Sequence, residues 1–361
     1  MTDIRRTHGV HQLVHTLSYG DAISAEVLSL ARSFRERGFP SEVFAINVHP
    51  RLKGEARSYL EFPKDFAGEV VLHYSLGSPL NELYRSLKNA KRALIYHNLT
   101  PAHWFDRVNP RIVDDIQRGM DELPGLCAVT DRLLADSAFN GGELAALGFK
   151  ATTLELMIDP KRWSIPANPG IASLLQGSGG IHVLHVGRLA PNKCIEDIIR
   201  SFCFLHHHIS KHSTLWLPGI DIDTELYSYS LKRLVRELAL EDAVRFTGCM
   251  DDSELRSLYE GCSVYLCMSE HEGFCLPLLE AMHFGAPVIA YASSAIPDTV
   301  GKGGILVREK RHPEIAELIA KIHSDLPFRE SLIAAGRARV AEHSMERFQE
   351  RVSVVFELGE R

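Results

Sequence analysis

Glu272 and Glu280 are separated by seven residues, and the stretch between them passes from a loop into a helix. The apolar run Val264–Met268 precedes the loop as a strand, and Pro277 suits the first helical position, where a missing N–H leaves no bond unmade. Gly273, Phe274, Cys275 and Leu276 would then present backbone N–H groups at a helix N-terminus, a ready anion site. Carboxylates on both sides of a bare phosphate are out of place. They fit a ligand that also carries vicinal hydroxyls, such as a nucleotide sugar, because each carboxylate accepts two hydrogen bonds. Side-chain chemistry alone leaves a plainer reading open, with Glu280 favouring the positive end of the helix dipole and Glu272 solvated.

A second group lies upstream. Arg188 and Lys193 are two cations five residues apart, in the turn between the strand Ile181–Val186 and the helix that starts near Ile195. That placement suits a clamp on a pyrophosphate whose charge grows as it leaves, or two loop cations facing water. His97 and Asn98 follow the strand Arg92–His97, and Gly20 and Asp21 lie between the first strand and its helix. Asp21 reads either as a helix cap or as a ligand contact.

These groups need a scaffold of strand ends. Short apolar runs alternate with amphipathic stretches along the whole chain, which predicts α/β layering. Strands are expected at Val10–Thr16, Glu42–Val48, Glu69–Tyr74, Arg92–His97 and Leu126–Thr130. Three prolines interrupt the pattern between Ile158 and Gly170, and a second series then runs from Ile181–Val186 through Thr214–Leu217, Ala243–Thr247, Val264–Met268, Ala286–Tyr291 and Ile305–Val307. The expected fold class is α/β, two Rossmann-like lobes facing across a cleft, with ligands at the carboxyl ends of the strands. The domain reading is 1–158 for an acceptor-side lobe, 159–170 for a hinge-like linker and 171–335 for a donor lobe. The remaining 336–361 form a terminal helical segment that could pack back on the first lobe.

Composition narrows the function. At about 100–200 residues per domain, 361 residues favour two domains. The net charge of −6 and the lack of a basic stripe exclude nucleic acid as the main partner. No run reaches the roughly 18 apolar residues of a spanning helix. Asp3, Arg5 and Arg6 are not followed by an apolar segment, so no secretory signal is expected. Seven cysteines without a spacing pattern argue for a reduced, cytoplasmic protein. The short basic run Arg85, Lys88, Lys91 and Arg92 leaves peripheral attachment to the inner membrane face possible without indicating it.

Glu272-Gly273-Phe274, Pro277, Glu280-Ala281-Met282, Gly285 and Pro287-Val288-Ile289 together resemble the signature of the family 4 glycosyltransferases, which are retaining enzymes of the GT-B fold. Gly187-Arg188 with Lys193 resembles the same family's diphosphate segment. So do Phe246, Gly248, Leu255 and Tyr259, and the stretch Pro297–Leu306, in which Asp298 stands where a glutamate is frequent. The resemblance covers roughly Ile181 to Val307. It implies Glu272 on the transferred sugar, Glu280 on the ribose, Arg188 and Lys193 on the diphosphate, and Met250 with Asp251 beside the base. It further implies Gly20 near the diphosphate and His97 on the sugar, with Asp21 and Asn98 left for the acceptor. Cys275 stands where a glycine is common, a change expected to be tolerated unless the position needs positive φ.

The implied reaction moves a hexose from a UDP- or GDP-sugar to an acceptor hydroxyl of a sugar or glycan, with retention, no cofactor and no catalytic metal. The leaving phosphate would take the acceptor proton. Asp221-Ile222-Asp223 matches the metal–diphosphate pattern of the other main glycosyltransferase fold but reads here as the cap of a helix at Thr224. His206, His207 and His208 are adjacent and cannot converge on one ion. Two alternatives remain: a nucleotide-sugar epimerase or hydrolase on the same fold, and a non-catalytic sugar-nucleotide-binding partner of another transferase.

Overall fold

The computed structural model describes residues 9–358, so Asp3, Arg5 and Arg6 lie outside it. Its residues group into two units. The first comprises the described residues up to Ala102, then Val113–Asp159 and those from Ser344 onward. Its sheet contains β1 (Val10–Leu17), β2 (Val43–Val48), β3 (Arg57–Ser58), β4 (Glu69–Tyr74), β5 (Lys91–Tyr96), β6 (Arg132–Ala135) and β7 (Thr152–Thr153). Their order is β3-β2-β1-β4-β5-β6-β7, and every pairing is parallel. A parallel sheet is covered on both faces, which is why its central strands are apolar at successive positions. Val70 and Leu72 face a core with Tyr84, Leu123 and Leu126. Val71, Ala93 and Ile95 face the opposite one, with Leu30, Phe34, Phe348, Val352 and Phe356.

The second unit comprises His103–Ile112 and Pro160–His343. Its strands are β8 (Ile181–Leu184), β9 (Ser213–Pro218), β10 (Val244–Gly248), β11 (Val264–Cys267), β12 (Val288–Tyr291) and β13 (Ile305–Val307). They are all parallel, in the order β10-β9-β8-β11-β12-β13. The chain builds outward from β8 on one side and then crosses to β11 on the other. Loops leaving β8 and β11 therefore diverge around a crevice at the carboxyl ends of the two strands, the point at which doubly wound sheets bind ligands. Both units are thus Rossmann-like.

Three expectations are corrected. Leu126–Thr130 is not a strand. Leu126 and Cys127 end the helix Pro110–Cys127, whose buried residues Ile116, Gly119, Leu123, Leu126 and Cys127 keep a helical period through Pro124. The strand lies further on, as β6. The stretch read as a linker contains a buried Trp163 within the turn Arg162–Ser164, and its last prolines lead into the helix Pro169–Ser178. The partition is also discontinuous, because residues 103–112 group with the second unit and only residues from Ser344 return to the first. The preceding helix, Leu326–Glu342, stays with the second unit, since a Cβ at Gly336 would lie 3.2 Å from Met282.

Candidate functional site

In the second unit, β8 leads through Gly187 and Arg188 to the short turn Pro191–Lys193. Cys194 then takes a left-handed conformation (φ 46°) and opens the helix Ile195–Phe204. On the neighbouring strand, β11 leads through Ser269 and Glu272 to the helix Leu276–His283. Asn192 ties the two loops together, as its Nδ2 donates to His271 O at 2.9 Å and its carbonyl accepts from Glu270 N at 2.9 Å. Glu272 is further fixed by its own N–H, which donates to Ser294 Oγ at 2.8 Å.

The loops bring Lys193 and Glu272 into contact. Nζ lies 2.6 Å from Oε1 and 2.7 Å from Oε2. Burial works against the Lys193 charge, but Glu272 beside it outweighs this and raises its pKa. Burial likewise pushes Glu272 up, and Lys193 more than reverses it, holding the carboxylate below its usual range. Each keeps the other ionised in a place where neither would stay charged alone. Arg188 is exposed, and its Nη2 donates to Ile222 O at 2.8 Å.

Glu280 is buried one turn into its helix. Its Oε1 accepts from Arg162 Nη1 at 2.8 Å and its Oε2 from Tyr259 Oη at 2.8 Å. Arg162 also reaches Asp252 Oδ1 through Nε at 3.0 Å and Nη2 at 2.8 Å, and its guanidinium lies 4.4 Å from the Trp163 ring centroid. Burial opposes the Arg162 charge, but Glu280 and Asp252 raise its pKa further. Nothing in the sequence singles out Arg162, which sits in the proline-interrupted stretch where no periodicity marks a buried position.

The remaining predicted residues of this unit fall around the same loops. Gly273 is half-buried, while Phe274, Cys275 and Leu276 are buried. Cys275 has φ 71°, so the position does need the left-handed region, and a cysteine there carries strain that a glycine would not. Met250 is half-buried ahead of the helix Asp252–Gly261, and Asp251 caps that helix with a reciprocal capping box to Glu254. Asp223 makes no such cap. It has φ 63°, its N–H turns to Glu225 Oε1 at 3.2 Å, and Thr224 at the helix start makes no side-chain capping bond.

In the first unit the predicted residues follow the carboxyl ends of β1 and β5. Gly20 has φ 79°, and Asp21 caps the helix Ala22–Glu36 through Oδ2, which accepts from Ser24 N at 3.0 Å. Asn98 has φ 83° and donates from Nδ2 to Asn140 Oδ1 at 2.9 Å and to Glu143 Oε2 at 2.7 Å. The His97 ring is almost fully buried. Its Nε2 lies 2.9 Å from His73 Nδ1, and its Nδ1 lies 3.3 Å from Asp136 Oδ2. Glu26, on the helix Ala22–Glu36, completes this group, and burial pushes its carboxyl up to about 8. His73, Glu26 and Asp136 carry no local sequence signal that would single them out.

Residues 172–339 match the family described as Glycosyl transferases group 1. The chain is 28% identical over 167 residues to O-antigen chain mannosyltransferase B of Escherichia coli, covering 46% of this chain and 42% of that relative's length. Among solved structures, the sucrose-phosphate synthase of Thermosynechococcus elongatus superposes with a TM-score of 0.77 at 17% identity, over 97% of this chain and 98% of that one. Alr3699/HepE of Anabaena, solved in complex with UDP-glucose, does so with a TM-score of 0.75 at 16% identity, over 97% and 99%. At these identities the structures establish a shared fold, that of GT-B proteins.

Proposed function

We propose, from the match of residues 172–339 to the glycosyl transferases group 1, that this chain is a retaining glycosyltransferase that moves a hexose from a nucleoside-diphosphate sugar to an acceptor hydroxyl in glycan or glycoconjugate synthesis. The observation that carries this reading is the ionised Lys193–Glu272 pair at the crevice between β8 and β11. A donor placed there meets a cation for its diphosphate and a carboxylate for its sugar hydroxyls within one short span. Glu280, with each oxygen already accepting one hydrogen bond, keeps lone pairs for the two hydroxyls of a ribose.

In this reading Arg188 and Lys193 stabilise the charge that builds on the departing diphosphate, together with the amides at the start of the helix Leu276–His283. The leaving phosphate oxygen accepts the proton of the acceptor hydroxyl, which attacks from the same face, so the anomeric configuration is kept. For His97 to meet the sugar, one of its ring nitrogens must give up a protein partner. The neighbour solved with UDP-glucose supports a nucleotide-sugar donor, and the mannosyltransferase relative supports a hexose such as mannose or glucose. No helix among the described residues is long and apolar enough to cross a membrane.

A thermal-shift series with UDP, GDP, ADP and their hexose conjugates tests the donor, because a ligand that binds only the folded state raises the melting temperature. Stabilisation by one nucleotide is expected, followed by acceptor-dependent release of that diphosphate and retention of the anomeric configuration by NMR. Release of sugar or an epimer without any acceptor would favour the hydrolase or epimerase reading instead. Binding without turnover would favour the accessory one.

A further inference from the structure

Seven free thiols are spread along the chain, and two of them meet in the second unit. Cys267 ends β11 and Cys275 stands directly ahead of the helix Leu276–His283, so the pair brackets the loop that presents Glu272. Their Sγ atoms lie within 4.8 Å of one another, and both side chains are buried. Glu272 falls within the same distance, but its two oxygens are already held by the Lys193 ammonium at 2.6 and 2.7 Å. The carboxylate therefore has its cation, and the chemistry left to the cluster is that of two facing thiols.

The pair is polarised. Cys275 donates its S–H to Cys267, whose Sγ also lies 3.3 Å from Ser269 Oγ. That hydrogen bond lowers the Cys267 pKa against the opposing effect of burial, and the same bond, together with burial, raises that of Cys275. Cys267 is thus the thiolate of the two, and Cys275 is the thiol placed to resolve it. The backbone carries a second sign. Cys275 is held at φ 71°, where an L-residue is strained and a glycine is not, and strain of this kind gathers at functional sites.

Burial excludes bulky reagents and leaves a small hydroperoxide as the fitting oxidant. The Cys267 thiolate attacks one peroxide oxygen, the O–O bond breaks, and the departing hydroxide takes up the proton that Cys267 gave up. Cys267 then carries S–OH. The Cys275 sulfur attacks the Cys267 sulfur, the S–O bond breaks, and the hydroxyl leaves as water with the Cys275 proton. Two thiols and one hydrogen peroxide become one disulfide and two waters. We propose that Cys267 and Cys275 form a peroxide-sensitive dithiol whose bridge closes the Glu272 loop on itself and switches the donor site off. An S–S bond of about 2.0 Å draws the two loop ends together from contact distance, and Glu272 lies between them. The loss of transfer rests on the transferase reading, whereas formation of the bridge does not.

The test treats the full chain with hydrogen peroxide in the presence of EDTA, blocks the remaining thiols and digests the protein after glutamate. Cleavage after Glu270 and Glu272 leaves Cys267 and Cys275 on separate peptides. A dithiothreitol-sensitive link between peptides 261–270 and 273–280 is expected, with fragmentation placing it at Cys267 rather than Cys262. A misplacement of about 1 Å costs about 100-fold in rate, so transfer is expected to fall at least about tenfold on oxidation and to return with dithiothreitol. Cys267→Ala lies outside the donor contacts and is expected to keep the parent's basal rate, form no bridge and ignore peroxide. Cys275→Gly, whose backbone suits φ 71°, is the second variant and is likewise expected to form no bridge. No link in the parent, a link through Cys262, or a link that leaves transfer and nucleotide stabilisation unchanged would overturn the proposal. If the reduced parent responds to no nucleotide, the transferase reading fails, and the peptide map still decides the bridge.

Discussion

Lys193 Nζ lies within 2.7 Å of both carboxylate oxygens of Glu272, so the two residues assigned to opposite parts of a donor neutralise one another across the β8–β11 crevice. Their sequence separation is 79 residues, and only the strand order makes them neighbours.

From the sequence alone, Glu272→Ala is expected to abolish transfer with little loss of fold. The pairing changes the second half of that expectation. Removing one partner of a buried ion pair costs about 3–5 kcal/mol, because the other is left buried and uncompensated. Glu272→Ala should therefore abolish activity and also lower the melting temperature, whereas the double variant Glu272→Ala/Lys193→Met should recover much of the stability and none of the activity. Denaturant titrations of the three proteins give the answer, and equal stability of all three would refute the coupling.

Arg162 holds Glu280 and Asp252 together. Arg162→Met is expected to raise KM for the nucleotide sugar at least about tenfold, equivalent to about 1.4 kcal/mol, with a smaller change in kcat. Steady-state kinetics at saturating acceptor separate the two parameters. A fall confined to kcat would place Arg162 in the chemical step instead.

His185 is buried, donates from Nδ1 to Leu266 O at 3.0 Å, and leaves Nε2 without a partner among the described residues. Burial, then the Lys193 charge, lower its pKa from 6.5 to about 4, against weaker opposing effects of the Leu266 carbonyl and Glu272. The unfolded chain therefore takes up this proton first as pH falls, and the folded state loses stability from about pH 6.5 down to about pH 4. The loss from this one group is on the order of 3 kcal/mol. His185→Asn retains a donor for Leu266 O and does not titrate, so its urea midpoint should depend less on pH across that window. An unchanged slope would show that other groups carry the acid sensitivity.

At Cys275 the usual ranking of alanine over glycine should reverse. Its φ of 71° costs an L-residue roughly 1–2 kcal/mol, which glycine escapes and alanine does not. Equilibrium unfolding should find Cys275→Gly more stable than Cys275→Ala.

Asp251 and Asp223 each lie just ahead of a helix, but they should differ when mutated. Asp251→Ala removes a capping box and is expected to cost about 1 kcal/mol, while Asp223→Ala removes no cap and should cost less. Equal losses in thermal unfolding would contradict the assignment of only the first as a cap.

The strands around the donor-side loops were legible because a parallel sheet buried on both faces leaves runs such as Val264-Tyr265-Leu266-Cys267 with no polar interruption. Glu272, Glu280, Arg188 and Lys193 are singled out by the family resemblance of their segments, since spacing alone leaves each open to a solvated reading. What holds them was not legible. Arg162 and Asn192 act through contacts 118 and 79 residues away in the chain, and nothing local distinguishes them from solvated loop residues. Glu26 occupies a helix position among small residues where a surface glutamate is the ordinary choice, and His73 is a polar residue near the end of a buried strand. The helix end at Cys127 resembles a strand in sequence because Leu126-Cys127-Ala128-Val129 is too short a run for its period to separate helix from strand.

The ring of Phe356 stands edge-on to that of Phe34, with centroids 5.0 Å apart, inside the first unit's core. On a ribosome that adds about 5–20 residues per second, Phe34 is made tens of seconds before its partner. Throughout that interval the face formed by Phe34, Ile95 and Leu134 has no Phe348, Val352 or Phe356 to cover it. The second unit, whose segments are all translated by His343, can reach its native state earlier. The unit that begins first is thus completed last, and part of its apolar core stays uncovered in the nascent chain until the helix Met345–Val355 emerges.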